Sequence, residues 1–217
     1  MNEPIKYIDK PEGRVFTVGD IHGEDRLFIR CLRDLRFDFK KDIIIAVGDL
    51  IDRGPNSWRT LDLVFKEPWF YSCRGNHEDL MFDALLEGSY PDYVCWQGNG
   101  GDWWTWGHNI CEADRHYLMR VQAKMPIRIQ VGNVGFCHAM PPRDWLNPQE
   151  NEESDERIMW GRKYVGEEVF IKNIDHVYVG HTPHEEVTTL GNITYLDTGV
   201  CFGINSSFDI VEVKFDE

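Results

Sequence analysis

Three times in its first half the chain repeats one pattern: a short apolar run, a glycine-bearing polar loop, then a segment of helical period. Val15-Phe16-Thr17-Val18 leads into Gly19-Asp20-Ile21-His22-Gly23, and Glu24 to Leu35 follows with Leu27, Cys31, Leu32 and Leu35 on one face. Ile43-Ile44-Ile45-Ala46-Val47 leads into Gly48-Asp49-Leu50-Ile51-Asp52-Arg53-Gly54-Pro55, ahead of a helix over Asn56 to Phe65 with Asn56 or Ser57 as its cap. Trp69 to Cys73 leads into Arg74-Gly75-Asn76-His77-Glu78, and a third helix occupies Glu78 to Leu86. Strand and helix in strict alternation demand an α/β sheet with parallel strands. The unbroken apolar run at Ile43–Val47 reads as a strand covered on both faces.

The second half follows another rhythm. Between residues 87 and 110, Trp96, Trp103, Trp104 and Trp106 mix with Gly88, Gly98, Gly100, Gly101 and Gly107, and no hydrophobic period survives. The segment reads as a long loop packed as satellite core. A helix over Ala113 to Ala123 then returns the chain to strands. Ile127–Val131 and Val134–Cys137 flank Gly132-Asn133, a two-residue hairpin signal. Further strands are expected at Val177–Val179, Val187–Leu190, Thr194–Leu196 and Ile210–Val213, making this half richer in antiparallel pairing. The expected architecture is α/β: a mixed β-sheet sandwich flanked by helices, one domain over residues 1–217.

Charge and cysteine usage exclude several classes. A net charge of −14 argues against a nucleic-acid partner, because phosphate backbones attract basic surfaces. The six cysteines form no CxxC pair, which fits free thiols in a reducing, cytoplasmic setting. Met1 to Lys6 shows no apolar stretch after a basic head, so no signal peptide is expected. The longest aliphatic run, Ile43–Val47, is far short of the ~20 residues of a membrane span.

In α/β sheets the carboxyl ends of strands form the binding crevice, so the three polar loops should converge. They offer Asp20 and His22, Asp49, and Asn76. Two more histidines follow strands in the same way: His138 after Val134–Cys137, and His181 in Gly180-His181-Thr182. One Gly-Asp after a strand is usually only a turn, but five strand ends each supplying a donor are not explained by turns. Two Asp, one Asn and three His exceed one tetrahedral zinc and suit two ions bridged by a carboxylate. Hard oxygens with imidazoles favour manganese, iron or zinc. His108, His116, His176 and His184 read as structural or surface groups, Cys137 as a small apolar core residue, and Glu150 to Glu156 as a solvated loop.

Gly-Asp-Ile-His-Gly at 19–23, Gly-Asp-Leu-Ile-Asp-Arg-Gly at 48–54 and Gly-Asn-His-Glu at 75–78 resemble the signature of the phosphoprotein phosphatase family of metallophosphoesterases. His138-Ala139, Arg162 in Trp160-Gly161-Arg162, and Gly180-His181-Thr182 continue its order, so the likeness spans roughly residues 14 to 203. Compact length and Asn99-Gly100-Gly101 after Trp96 resemble the family's lambda-type phage and bacterial branch.

The resemblance implies that Asp20, His22 and Asp49 hold one metal, and Asp49, Asn76, His138 and His181 the other. It implies Arg53 and Arg162 as phosphoryl clamps, where a planar guanidinium grips two oxygens. His77 would protonate the leaving oxygen, oriented and charged by Asp52. The implied activity is hydrolysis of phosphoserine or phosphothreonine in a phosphoprotein or phosphopeptide, with two divalent ions, manganese first, activating the attacking water. A dinucleoside tetraphosphate hydrolase is the alternative enzyme. A catalytically silent metal- or partner-binding domain is the alternative of another class.

Overall fold

Both faces of the first parallel strands are apolar because the chain places a layer against each. The structure, a computed structural model, describes residues 5–104, 110–147 and 154–215. Strands β2 (Val15–Val18), β3 (Ile43–Ala46) and β4 (Phe70–Ser72) pair in parallel, with β10 (Val211–Glu212) antiparallel on the outer edge of β2. Alternate residues serve opposite sides. Phe16, Val18, Ile44 and Ala46 face a core shared with α1 (Asp25–Asp34) and α2 (Ser57–Lys66), through Phe28, Leu32, Leu61 and Val64. Val15, Ile43, Ile45 and Val47 face a second sheet.

That sheet has six strands in the order β1-β5-β6-β7-β9-β8. They are β1 (Lys6–Ile8), β5 (Arg128–Val131), β6 (Val134–Cys137), β7 (His176–Val179), β8 (Thr188–Leu190) and β9 (Ile193–Tyr195). Ile129, Val131, Phe136 and Tyr178 close the inter-sheet core. On the far side, Cys137, Val177, Val179 and Tyr195 pack against Ile158 and Met159, which lie on α6 (Asp155–Trp160), and against Trp145 and Tyr164. The order of layers is helices, four strands, six strands, helix and loops. This is the expected mixed sandwich.

Two expectations need correction. The stretch 87–110 is not one long loop. α3 (Asn76–Phe82) runs on as one π turn over Asp83–Glu87, ended by left-handed Gly88, and α4 (Tyr90–Gly98) follows with Ser89 as cap. A 3-10 turn at Gly101–Trp103 then packs against α4. Trp96 is fully buried in the helical core, yet it is the only buried residue of α4, so no apolar period marks that helix in the sequence. Trp106, Gly107 and His108 lie outside the described residues.

The later half is richer in antiparallel pairing than the first, as expected, but it is mixed. The Gly132-Asn133 hairpin holds, with β5 antiparallel to β6; β8–β9 and β10–β2 are also antiparallel, whereas β6–β7 and β7–β9 are parallel. The long β6-to-β7 connection, which carries α6, supplies the crossover that parallel pairing requires. The second correction concerns the acidic stretch: only residues 150–153 fall outside the described residues, while Asp155 and Glu156 open α6, capped by the Ser154 hydroxyl accepting from the Arg157 N–H at 3.3 Å. The helix α5 (Glu112–Gln122) lies as expected.

Candidate active site

Backbone hydrogen bonds tie the loops after β2, β3 and β4 into one platform. The Asp49 carbonyl accepts from the N–H groups of Ile21 at 3.0 Å and His22 at 2.9 Å. The buried Glu78 carboxylate accepts from Asp49 N at 3.0 Å, Leu50 N at 2.8 Å, Ile51 N at 3.3 Å and Gly75 N at 2.9 Å. Burial and the nearby Asp49 push this carboxyl up to about 7, while the N–H of Gly75 opposes them. Gly75 must be glycine on grounds of space, since a Cβ there would collide with the Asp49 carboxylate and backbone. Gly180 lets β7 come as close to Asp20, and the His181 N–H donates to Asp20 Oδ1 at 3.1 Å.

The backbone is strained where these side chains point inward. His22, Asp49, Asp52, Arg53 and His181 all adopt positive φ, between 44° and 72°. Such residues cost of order 1 kcal/mol each and cluster at functional sites.

Asp49 is the hub. Its Oδ2 lies 3.8 Å from His22 Nε2, 3.9 Å from His77 Nε2 and 3.3 Å from His138 Nε2. The two sheets meet here, because Asp20, His22, Asp49 and Asn76 come from the four-stranded side and His138 and His181 from the six-stranded side. Burial alone would raise the Asp49 carboxyl, but the surrounding imidazoles of His138, His77 and His22 hold it well below the usual carboxylate range.

The imidazoles are sorted by their second nitrogens. His22 Nδ1 donates to the Ile51 carbonyl at 2.6 Å, and burial pushes its pKa down to about 3, so Nε2 keeps a lone pair for an acid. Arg53 now donates to that nitrogen at 2.6 Å, its guanidinium 4.9 Å from the Phe202 ring centre. His138 Nδ1 donates to the Val47 carbonyl at 3.0 Å, and its Nε2 sits 2.9 Å from Asn76 Oδ1 and 3.2 Å from His181 Nδ1. Burial lowers His138, but Asp49, joined by Asp20 and Glu78, outweighs it and lifts the pKa to about 9. Burial, followed by the charge of His138, brings His181 down to about 3, and His181 Nε2 is buried with no hydrogen-bond partner.

The donors fit divalent cations. Asp49 with His22 and His77, and Asp49 with His138 and His181, form two buried groups able to hold an ion. Asp20 stands beside them, its Oδ2 4.0 Å from His22 Nε2. Burial together with Asp197 and Asp49 raises the Asp20 carboxyl well above its usual range, a crowding of negative charge that a bound cation relieves. The unsatisfied Nε2 of His181 and the lack of any thiolate fit borderline metals.

His77 is distinguished from the ligand candidates around it. Its Nδ1 donates to Asp52 Oδ2 at 2.5 Å. Burial lowers its pKa, but Asp49 and then Asp52 overcome this and leave it raised, which favours the protonated imidazole. Asp52 is itself held by two indoles: Trp96 Nε1 donates at 3.0 Å to each oxygen and Trp103 Nε1 donates at 2.6 Å to Oδ1. The tryptophans thus serve more than the core. Arg53 and Arg162 are exposed at the rim. Cys137 is buried.

Sequence reading missed Glu78, Asp197, Trp96 and Trp103. Glu78 carries a signal: a carboxylate in the first turn of a helix that reaches back to the preceding N–H. Asp197 follows β9 as Asp20 follows β2, and its Oδ1 accepts from Gly199 N at 2.9 Å. Of the histidines read as structural, His116 is exposed, His176 Nε2 pairs with Thr194 Oγ1 at 2.7 Å, and His184 packs on Tyr195 with its N–H bonded to the Asp197 carbonyl at 2.9 Å.

A model of the calcineurin-like phosphoesterase family matches residues 13–185. Serine/threonine-protein phosphatase 1 of Salmonella typhimurium strain LT2 is 33% identical over 194 residues, 87% of this chain and 88% of that protein. An asymmetrical bis(5'-nucleosyl)-tetraphosphatase of Anoxybacillus flavithermus is 23% identical over 216 residues, 86% of this chain and 85% of that one. A cold-active protein-tyrosine phosphatase of a psychrophilic Shewanella species shares the fold, with a TM-score of 0.64 at 15% identity over 96% of this chain and 77% of that one.

Proposed function

The chain belongs to the calcineurin-like phosphoesterase family, and from that membership we propose that it is a serine/threonine protein phosphatase acting as one catalytic domain in the cytoplasm. The proposed reaction is hydrolysis of phosphoserine or phosphothreonine in a phosphoprotein, with two divalent ions, manganese first among them. Asp20, His22 and Asp49 would hold one ion, and Asp49, Asn76, His138 and His181 the other. Bound there, such ions neutralise phosphoryl charge and make a water acidic enough to attack near neutral pH.

The chain's own groups supply the rest. Arg53 and Arg162, swung onto the phosphoryl oxygens, bind in the two-point geometry a guanidinium permits. His77 delivers its Nε2 proton to the leaving oxygen. Asp52 keeps that imidazole charged, and the Trp96 and Trp103 indoles keep Asp52 in place. The six free cysteines support a reducing compartment, and no helix among the described residues is long and apolar enough to cross a membrane.

One observation carries the reading: His77 with Nδ1 on a buried carboxylate and Nε2 toward the donor cluster. A serine alkoxide cannot depart easily without a proton, whereas a nucleotide leaves a tetraphosphate as a weakly basic phosphate. An acid built this firmly suits the first substrate class. The test compares kcat/KM for a phosphoserine peptide and for diadenosine tetraphosphate in the manganese-loaded protein. Preference for the peptide is expected, and activity that disappears on chelation. A higher kcat/KM on the tetraphosphate sinks the protein-phosphatase reading, and absence of hydrolysis by folded, metal-loaded protein leaves a silent binding domain.

A further inference from the structure

Beside the rim arginine lies a cavity of about 320 Å³ whose lining includes four cationic side chains: Arg143, Arg157, Arg162 and Lys163. The chain carries a net charge of −14, so the local sign is the reverse of the whole. Its floor is close-packed. Met140 and Tyr164 are buried, and a Cβ on Gly161 would strike the Arg157 carbonyl and the Met140 side chain. The Tyr195 hydroxyl donates to the Tyr164 carbonyl at 2.9 Å, and the Arg143 guanidinium lies 5.4 Å from the Tyr164 ring centre. The N–H groups of Ala139 and Met140 both reach the Ile158 carbonyl, fastening α6 to the end of β6. Among the described residues, the side chains of Arg157, Arg162 and Lys163 take part in no ion pair. Like charges gathered on a fixed floor repel one another unless an anion joins them.

Arg162 belongs both to this cavity and to the clamp proposed above, and Trp160 connects the two places, its ring 6.3 Å from that of His181. An anion in the cavity is therefore a close neighbour of the phosphoryl group under attack. In an extended peptide, residues two apart point to the same face and stand ~7 Å apart. Resting on the protein-phosphatase reading, we propose that the cavity is a subsite for a second anionic side chain of the substrate, an aspartate, glutamate or further phosphorylated residue two positions from the phosphoserine being cleaved. Acidic or multiply phosphorylated segments are then the substrate class.

The test uses the manganese-loaded full chain and phosphoserine peptides that differ only in Asp or Asn at the positions two before and two after the phosphoserine. Asp peptides should have a kcat/KM roughly five- to tenfold higher, the contribution of one or two part-screened ion pairs. The gain should appear in KM rather than kcat, because the contact is the same in ground and transition states. It should shrink as salt rises from about 0.05 to 0.5 M. The exposed pair change Arg157→Ala with Lys163→Ala should bring the two peptides level, and Arg157→Glu with Lys163→Glu should reverse the order. Equal kcat/KM in the wild type, or a preference that survives charge reversal, overturns the subsite while leaving the phosphatase reading intact. Hydrolysis of neither peptide overturns both.

Discussion

In an Asp52→Asn variant one oxygen must do the work of two. The wild-type carboxylate accepts three N–H donors: His77 Nδ1 at 2.5 Å, Trp103 Nε1 at 2.6 Å and Trp96 Nε1 at 3.0 Å. The two indoles draw the amide oxygen to their side, so the amide nitrogen of the asparagine meets His77 Nδ1. That nitrogen can then only accept, which fixes His77 as the neutral Nε2–H tautomer, a poor acid. A hydrogen bond to a charged partner contributes ~1.5–3 kcal/mol, which translates into roughly 10- to 150-fold in rate. Only the upper end of that range reaches the ~100- to 10,000-fold that general acids supply, as fits a variant that weakens the acid without removing it. The assay is kcat on a phosphoserine peptide and on p-nitrophenyl phosphate, under conditions where chemistry limits the rate. The peptide should lose the full factor and p-nitrophenyl phosphate far less, since p-nitrophenolate departs without a proton; His77→Asn should show the same bias more strongly. The pH profile adds a sign. The raised pKa of His77 means that its acid form persists to higher pH than that of an ordinary imidazole and is lost as pH rises through the raised value. Removing the Asp52 charge takes away part of what raises it, so the alkaline limb must move to lower pH. Equal losses on the two substrates, or an alkaline limb that stays in place, refute the acid assignment.

Asp49→Asn should lower metal occupancy at both positions and Asp20→Asn mainly at one; identical stoichiometry by elemental analysis in the two variants contradicts a bridging Asp49. Arg53→Ala and Arg162→Ala should each reduce kcat/KM about tenfold or more and weaken inhibition by inorganic phosphate at unchanged metal content, with lysine rescuing only in part. Wild-type phosphate inhibition in both variants places these arginines outside the site. Glu78→Gln leaves an amide nitrogen facing two backbone N–H groups, a loss of ~3 kcal/mol that should lower Tm by roughly 6–12 °C. An unchanged melting curve removes Glu78 as the staple of the platform.

The parallel β2-α1-β3-α2-β4 unit was legible because each strand is buried on both faces and each helix shows one apolar stripe. The hairpin at Gly132-Asn133 was legible from turn chemistry. α4 was not, because it buries only Trp96, and a helix that contributes one side chain to the core leaves no period to read. β1 was missed for a similar reason: three half-exposed or exposed residues at a sheet edge carry no pattern. The six proposed ligands announce themselves by standing at strand ends, and the structure brings all of them to one place. What supports them does not. Glu78 acts through backbone N–H groups that every residue but proline possesses, and Trp96 reaches Asp52 across a gap of 44 positions that only folding closes.

The left-handed residues at His22, Asp49, Asp52, Arg53 and His181 set the protein's stability against its chemistry. Together they withhold on the order of 5 kcal/mol, as much as the whole folding margin of many domains. Glycine relieves that strain at any of them, because it adopts positive φ without steric cost. A screen that rewards thermal tolerance alone would therefore be drawn to glycine at these five positions, and each gain in melting temperature would remove a proposed ligand, clamp or acid partner. Relatives that have exchanged these residues for glycine should be more heat-resistant and inert, so thermostability without activity is the expected fate of a copy released from selection for catalysis.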